Sequence, residues 1–242
     1  MTFQLGGLKI QTMTREESLS AVAHQVSPAR VYFVNAHCVV VAGENPQYAD
    51  AVNRAEYVFN DGAGVEAACK ILGIPLKDNL NGTDWIPALL DRLAVDTRSY
   101  RIFFLGGRPE LVAEKSDYFK RWPNLETVGL HHGFYEEDVA VLDKIRKAKP
   151  DILLVGMGVP RQELFLDRHW TSLIASGVTL GIAGGAVFDF MSGTVPRAPQ
   201  WMQKMRMEWM YRLWIEPKRL WRRYLVGVFP FSWIVMKEWF RK

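Results

Sequence analysis

From its start to about residue 190 the chain alternates short, nearly continuous apolar runs with stretches whose apolar residues recur every three or four positions. The runs RVYFVNA (30–36), YVFN (57–60), YRIFFLGG (100–107), LETVGLH (125–131), DILLVGMG (151–158) and VTLGIAGG (178–185) predict strands, several of them covered on both faces. The intervening stretches near 46–54, 62–73, 83–95, 109–121, 136–147 and 161–170 predict amphipathic helices. Strands alternating with helical stretches, with no internal repeat, predict an α/β fold with a Rossmann-like, mostly parallel sheet.

Ligands of open parallel sheets bind beyond the carboxyl ends of the strands, so the turns that follow the apolar runs carry the information. Here they read NAHC, NDGAG, LGGRPE, HHGFY, GMGVPRQE and AGGAVFD. Small residues let backbone N–H groups approach an anion, and a helix N-terminus adds positive potential, so a phosphate-bearing ligand is favoured. Glycines that merely make tight turns would account for any one of these segments, though less comfortably for all six. GMGVPRQ begins like a dinucleotide fingerprint, but Arg161 occupies the place of the third glycine and no acidic residue follows at the expected offset, which argues against a nicotinamide dehydrogenase.

Charge is unevenly spread. Residues 197–242 hold 11 Lys and Arg against 3 Glu and six of the nine tryptophans, whereas the preceding residues are net acidic. Within this tail the longest charge-free run, YLVGVFPFSWIVM, has 13 residues interrupted by Gly227 and Pro230, too short for a spanning helix, which needs about 20. The first residues lack a cationic start followed by an apolar run, which places the protein in the cytoplasm. Cys38 and Cys69 lack ligand-like spacing and read as buried free thiols. A helix starting at Pro217 would carry Leu220, Trp221, Tyr224, Leu225 and Val228 on one face and Lys218, Arg219, Arg222 and Arg223 on another. Such a helix either docks on the domain with a solvated cationic side or lies on an anionic membrane. Nucleic acid is a weaker reading, because the basic region is confined to the end and carries no recognised binding motif.

Asp61 precedes GAG and an apolar helix, so it is either a helix cap or a general base at the mouth of the sheet. Asp84 and Asp189 sit at comparable turns, Asp189 between two phenylalanines as a structural residue. No Asp-x-Asp pair occurs, EED at 136–138 reads as the solvated first turn of a helix, and His131 and His132 diverge on a strand, so no metal site is expected. A diphosphate leaving group would then depend on backbone dipoles and Arg or Lys groups.

The segments NDGAGVEAACKILG, NGTDWIP, FFLGGRPELV, HHGFY, PDILLVGMGVPRQE and GGAVFDFMSGTVPRAPQWMQKMRMEWMYRLWIEPKRLWRRYL together resemble the WecG/TagA/CpsF glycosyltransferases, glycosyltransferase family 26, over essentially the whole chain. The resemblance implies a GT-E fold: a Rossmann-like catalytic domain at 1–196 and a helical, membrane-associating appendage at 197–242. It implies an inverting, metal-independent and cofactor-free enzyme that moves a sugar from a UDP-sugar to a polyprenyl-diphosphate-linked sugar at the cytoplasmic face of the inner membrane. Asp61 matches the family's catalytic base and Gln162 its active-site glutamine; Arg212, Arg219 and Arg222 match arginines that approach the lipid diphosphate. The donor is expected to meet Asn35, Asn81, Thr83, Asp84, Gly106, Gly107, Phe134, Tyr135, Gly158 and Gly185. Phe33 departs from a threonine common in the family, which opens the donor sugar to N-acetylmannosamine, glucose as in xanthan-type glucosyltransferases, or N-acetylmannosaminuronate. The rival class is a membrane-associated nucleotide-binding module with a regulatory role, which would bind nucleotide without releasing UDP.

Overall fold

Eight strands form one sheet in the order β1-β2-β4-β3-β8-β7-β5-β6 in the computed structural model, which describes residues 1–107, 122, 124–191, 195–205 and 207–241, without the side chains of Asp189, Lys204 and Arg219. The strands are β1 (Thr2–Leu5), β2 (Leu8–Gln11), β3 (Ala29–Val34), β4 (Tyr57–Asn60), β5 (Tyr100–Gly106), β6 (Leu125–His131), β7 (Ile152–Gly156) and β8 (Leu180–Ala183). Among the described residues only the β1–β2 hairpin is antiparallel; every other pairing is parallel. This is the expected α/β class.

The side chains of β3 alternate between two cores, Tyr32 and Val34 on one face and Val31 and Phe33 on the other, and β5 and β7 do the same. One face is covered by α2 (Ala36–Glu44), α3 (Pro46–Asn53), α4 (Ala63–Ile71), α6 (Asp138–Ala148) and α7 (Arg161–Ala175). The other is covered by α1 (Arg15–Ala23), α5 (Gly82–Ala94) and the short α8 (Val187–Met191). Both faces being covered explains why these strands read as unbroken apolar runs.

Three elements escape the periodicity. The β1–β2 hairpin is too short to alternate visibly. The largely polar α1 is fixed by a capping box, in which Glu17 N–H donates to the Thr14 hydroxyl (3.1 Å) and Thr14 N–H to the Glu17 carboxylate (2.8 Å). The run over 30–36 does not stay a strand to its end, because the Asn35 side chain accepts from His37 and Cys38 N–H and starts α2. The helix expected over 109–121 lies outside the described residues. Cys38 and Cys69 are buried and free.

The chain ends in α9 (Gln200–Lys204), α10 (Glu208–Ile215), α11 (Pro217–Trp221), a π-helical turn (Arg222–Val226) and α12 (Val228–Phe240). A single amphipathic helix from Pro217 does not form. Of the apolar face expected for it, only Leu220 is buried, while Trp221, Leu225 and Val228 are exposed. The extra residue in the π turn breaks the 3.6-residue register on which that face was drawn. The last helix is part of the core: Phe231 and Val235 pack in the cluster of α2 and α4, and Gly6 N–H donates to Glu238 across the molecule (2.6 Å). No helix of the described residues is long and apolar enough to cross a membrane.

Candidate active site

A cleft of about 930 Å³ opens beyond the carboxyl ends of the strands and is roofed by the C-terminal segment. All six turns expected from the sequence contribute, through Asn35 after β3, Asp61 after β4, Gly107 after β5, Phe134 after β6, Gly158 after β7 and Gly185 after β8. Thr83, Gln162, Arg212 and Arg222 complete the set of expected residues that line it. Asn81, Asp84, Gly106 and Tyr135 do not line it, and the Arg219 side chain lies outside the described residues.

Those four have structural work instead. Asn81 caps α5, its side-chain oxygen accepting from Asp84 N–H (3.0 Å). The Asp84 carboxylate accepts from Asn81 (2.9 Å) and Arg197 (2.8 Å), so it ties the start of α5 to the segment leading into α9. Burial alone would raise the pKa of Asp84, but the bonds from Arg197 and Asn81 hold it below the usual carboxylate range. Gly106 allows the ends of β5 and β7 to meet, since a Cβ there would run into the carbonyl of Gly156. Tyr135 donates to the Met157 sulfur (3.2 Å) beneath the Arg161 guanidinium, which in turn donates to the carbonyls of Gly133 and Tyr135 (2.8 and 2.9 Å).

Asp61 is held at the lip of β4 by its own N–H, which donates to the Val34 carbonyl (2.8 Å). Helix α4 is preceded by Gly62 as its N-cap residue, whose φ of 85° favours glycine, and it has no side-chain cap, so the carboxylate is not spent as a helix cap. Burial raises its pKa; Arg223, then Asn35 and Arg212, pull it down, and Glu208 adds a smaller upward push. A half-buried carboxylate thus shares a cleft lined by four arginines, two of which, Arg212 and Arg223, act on it.

Gln162 is buried and engaged at both ends. Its oxygen accepts from Gly158 N–H (3.2 Å) and Gly185 N–H (3.0 Å), bracing the turns after β7 and β8. Its amide nitrogen donates to Glu163 (2.7 Å), a fully enclosed carboxyl that burial pushes up to about 7. The glutamine read as an active-site group therefore sets the shape of two glycine turns in this structure.

Sequence reasoning missed His37, Arg161 and Met157 as lining residues, and it drew Arg223 only as part of a cationic helix face turned to solvent or to an anionic membrane. His37 follows the α2 cap directly, a position that could have been read as facing the ligand; nothing in the sequence announces the π turn that carries Arg223 into the cleft. Burial, then the nearby Arg223, depresses His37 to about 4, so it is neutral at physiological pH.

A family model described as "Glycosyl transferase WecG/TagA/CpsF family" matches residues 3–242. Three similar proteins are named N-acetylglucosaminyldiphosphoundecaprenol N-acetyl-beta-D-mannosaminyltransferase. The one from Bacillus spizizenii is 36% identical over 185 residues, covering 76% of this chain and 70% of the relative. Those from Bacillus subtilis and Staphylococcus aureus are each 30% identical, covering 85% and 89% of this chain and 78% and 84% of the relative.

Proposed function

The chain belongs to the WecG/TagA/CpsF glycosyltransferase family, and on that premise we propose that it moves a hexosyl group from a UDP-sugar to a prenyl-diphosphate-linked sugar, with inversion and without a metal ion. The relatives' names speak for N-acetylmannosamine as the donor sugar and for N-acetylglucosamine-diphosphoundecaprenol as the acceptor. The observation that carries the reading is a half-buried carboxylate, Asp61, beside Arg212 and Arg223 in a cleft ringed by six glycine- and asparagine-bearing turns.

In this reaction the acceptor hydroxyl oxygen attacks the anomeric carbon as its proton passes to Asp61. The bond from that carbon to the β-phosphate oxygen breaks, and UDP leaves with the electron pair. A single in-line displacement inverts the anomeric centre. Burial raises the proton affinity of Asp61, as a general base requires. Backbone N–H groups of the glycine turns and the cleft arginines supply preorganised stabilisation for the departing diphosphate.

Residues 197–242 act as an appendage to a catalytic domain at 1–196 and as its membrane contact. Of the 22 exposed large hydrophobic residues among those described, 15 lie beyond residue 200, six of them tryptophans, interleaved with the basic residues of the tail. Trp and Lys or Arg together suit the lipid interface, where each cation adds about 1 kcal/mol near anionic lipid. We infer from this surface that the enzyme works against the cytoplasmic face of the inner membrane, where a prenyl-linked acceptor resides.

Phe33 favours a second reading of the donor. Its buried ring packs on Trp85 and Phe59 (5.5 and 6.0 Å) and forms an apolar wall of the cleft, and that wall, in place of a threonine hydroxyl, speaks for a donor other than N-acetylmannosamine, such as glucose. One assay tests the function and the donor together: a panel of UDP-sugars with a synthetic lipid-diphosphate sugar, in chelator, with product mass and linkage determined. Transfer from UDP-N-acetylmannosamine is expected. UDP binding without UDP release would instead identify a regulatory module, and a rate restored by magnesium or manganese would overturn metal independence.

A further inference from the structure

Among the described residues two charged side chains are buried, Arg30 and Glu163, and the fold treats them differently. Arg30 donates to Glu56 and Asp167 and lies against the Trp170 ring. Glu163 has no cationic partner among the described residues. Its Oε1 accepts from the Gln162 amide (2.7 Å), and its Oε2 is enclosed without a partner. Tyr32, Cys38 and Tyr48, the titratable groups that feel its charge, are buried and stay neutral at pH 7. A carboxyl so placed costs stability, and an apolar side chain of similar volume would cost less. Packing therefore gives no reason for a carboxyl here, but its one side-chain contact does.

Gln162, itself buried, opens α7 and spans the ends of two neighbouring strands. Its oxygen accepts from Gly158 N–H (3.2 Å) after β7 and from Gly185 N–H (3.0 Å) after β8. Both glycines hold positive φ, 81° and 55°, and a Cβ on either would meet nothing within 4 Å, so the two turns present bare backbone to the open cleft. A flipped Gln162 would set its NH2 against both glycine N–H groups and its carbonyl against the Glu163 oxygen, so the direction of the amide is fixed from both ends. Without the acceptor on Glu163, the buried NH2 group loses its partner and the amide is free to turn.

We propose that Glu163 is a positioning residue of the cleft: by accepting from the Gln162 amide, it holds the Gly158 and Gly185 turns in the shape that receives the nucleotide of the donor. The proposal rests on the transfer reaction proposed above. Glu163 itself touches no substrate, because it is buried and does not line the cleft. It acts through Gln162. The turns meet the donor before and during transfer alike, so loss of the contact should raise the KM of the donor and leave kcat nearly unchanged.

Full-length Glu163→Met and Glu163→Gln proteins separate this role from a structural one. Methionine fills the space without an acceptor, whereas glutamine keeps an acceptor oxygen without a charge. Glu163→Met should bind UDP about 10-fold more weakly by calorimetry, the usual worth of one hydrogen bond, and its donor KM should rise to match. Its melting temperature should be no lower than that of the wild type. Glu163→Gln should keep UDP affinity close to wild type. Amide exchange followed by NMR should quicken at Gly158 and Gly185 in Glu163→Met but not in Glu163→Gln, since the Gln162 oxygen protects those two N–H groups.

Gln162→Met and the double variant test the route. If Glu163 acts through Gln162, the double variant binds UDP no more weakly than Gln162→Met alone. Losses that add would overturn the route, and an unchanged UDP affinity in Glu163→Met would overturn the proposal. A Glu163→Met protein that does not fold, or a Glu163→Gln protein that binds UDP as weakly as Glu163→Met, would reduce Glu163 to a structural residue. A wild-type protein that transfers no sugar, but whose UDP affinity follows Glu163 in this way, would defeat the transfer reaction and leave the positioning role standing.

Discussion

The carboxylate of Asp61 is balanced between burial, which holds its proton, and two arginines, which drive it off. Replacing it with asparagine preserves shape and removes the proton acceptor, so transfer should fall about 100- to 10,000-fold with the melting temperature close to wild type. A folded Asp61→Asn enzyme with near-normal kcat would remove it from the chemistry. Glu163 behaves differently. Burial lifts its folded pKa to about 7 from an ordinary 4.5, so folding favours the protonated acid. This contribution is complete below about pH 4.5 and lost as pH rises through about 7, up to roughly 3 kcal/mol in all. Glu163→Gln cannot titrate, so the decline in melting temperature from about pH 5 to about pH 8 should be smaller in the variant; equal declines would show that Glu163 ionises freely. That Asp61 lies at a strand mouth was legible from the apolar run before it. That Gln162 braces Gly158 and Gly185 was not, because the partners lie on two turns far apart in sequence.

At the scale of elements, the strands and their turns were legible because covered parallel strands leave long apolar runs, and glycine marks where each run ends. The hairpin and α1 were not, since a capping box and four-residue strands leave little periodic signal. The tail was legible as basic and aromatic but not in its register. A π turn needs no residue signature of its own, and it moved Arg223 into the cleft while leaving Trp221 and Leu225 outside. Helix α12 has a second function as a clamp. Its buried Phe231 packs into the core formed by α2 and α4, so Phe231→Ala should cost about 3 kcal/mol in denaturant unfolding. Trp233 and Trp239, exposed on the same helix, should lose vesicle binding on substitution by alanine while unfolding free energy stays within about 0.5 kcal/mol. If Trp233→Ala destabilises as much as Phe231→Ala, the division of that helix into a docked and a lipid-facing side is wrong.

Across the whole molecule the charge is split, with a net-acidic body and a tail that carries 11 basic residues against 3 acidic. The same tail supplies exposed tryptophans, two cleft arginines with enclosed Nε atoms, and core residues of α12. The proposed anchoring and the proposed catalytic role therefore fall in one segment, and a deletion tests both. Removing residues from Pro217 onward takes away Arg222, Arg223, Trp221, Trp233 and Trp239, along with Phe231 and Val235. The truncated protein should leave anionic phospholipid vesicles, melt at a lower temperature, and fail to transfer sugar to a short water-soluble acceptor. The last result discriminates, because a segment that served only as an anchor would be dispensable once the acceptor no longer resides in lipid. Loss of fold is separated from loss of chemistry by the point variants: Arg222→Ala and Arg223→Ala keep the core of α12 intact and should still lower turnover with the soluble acceptor. Full-length rates from both variants and from a truncated protein that stays folded would show that the cleft is complete without its tail.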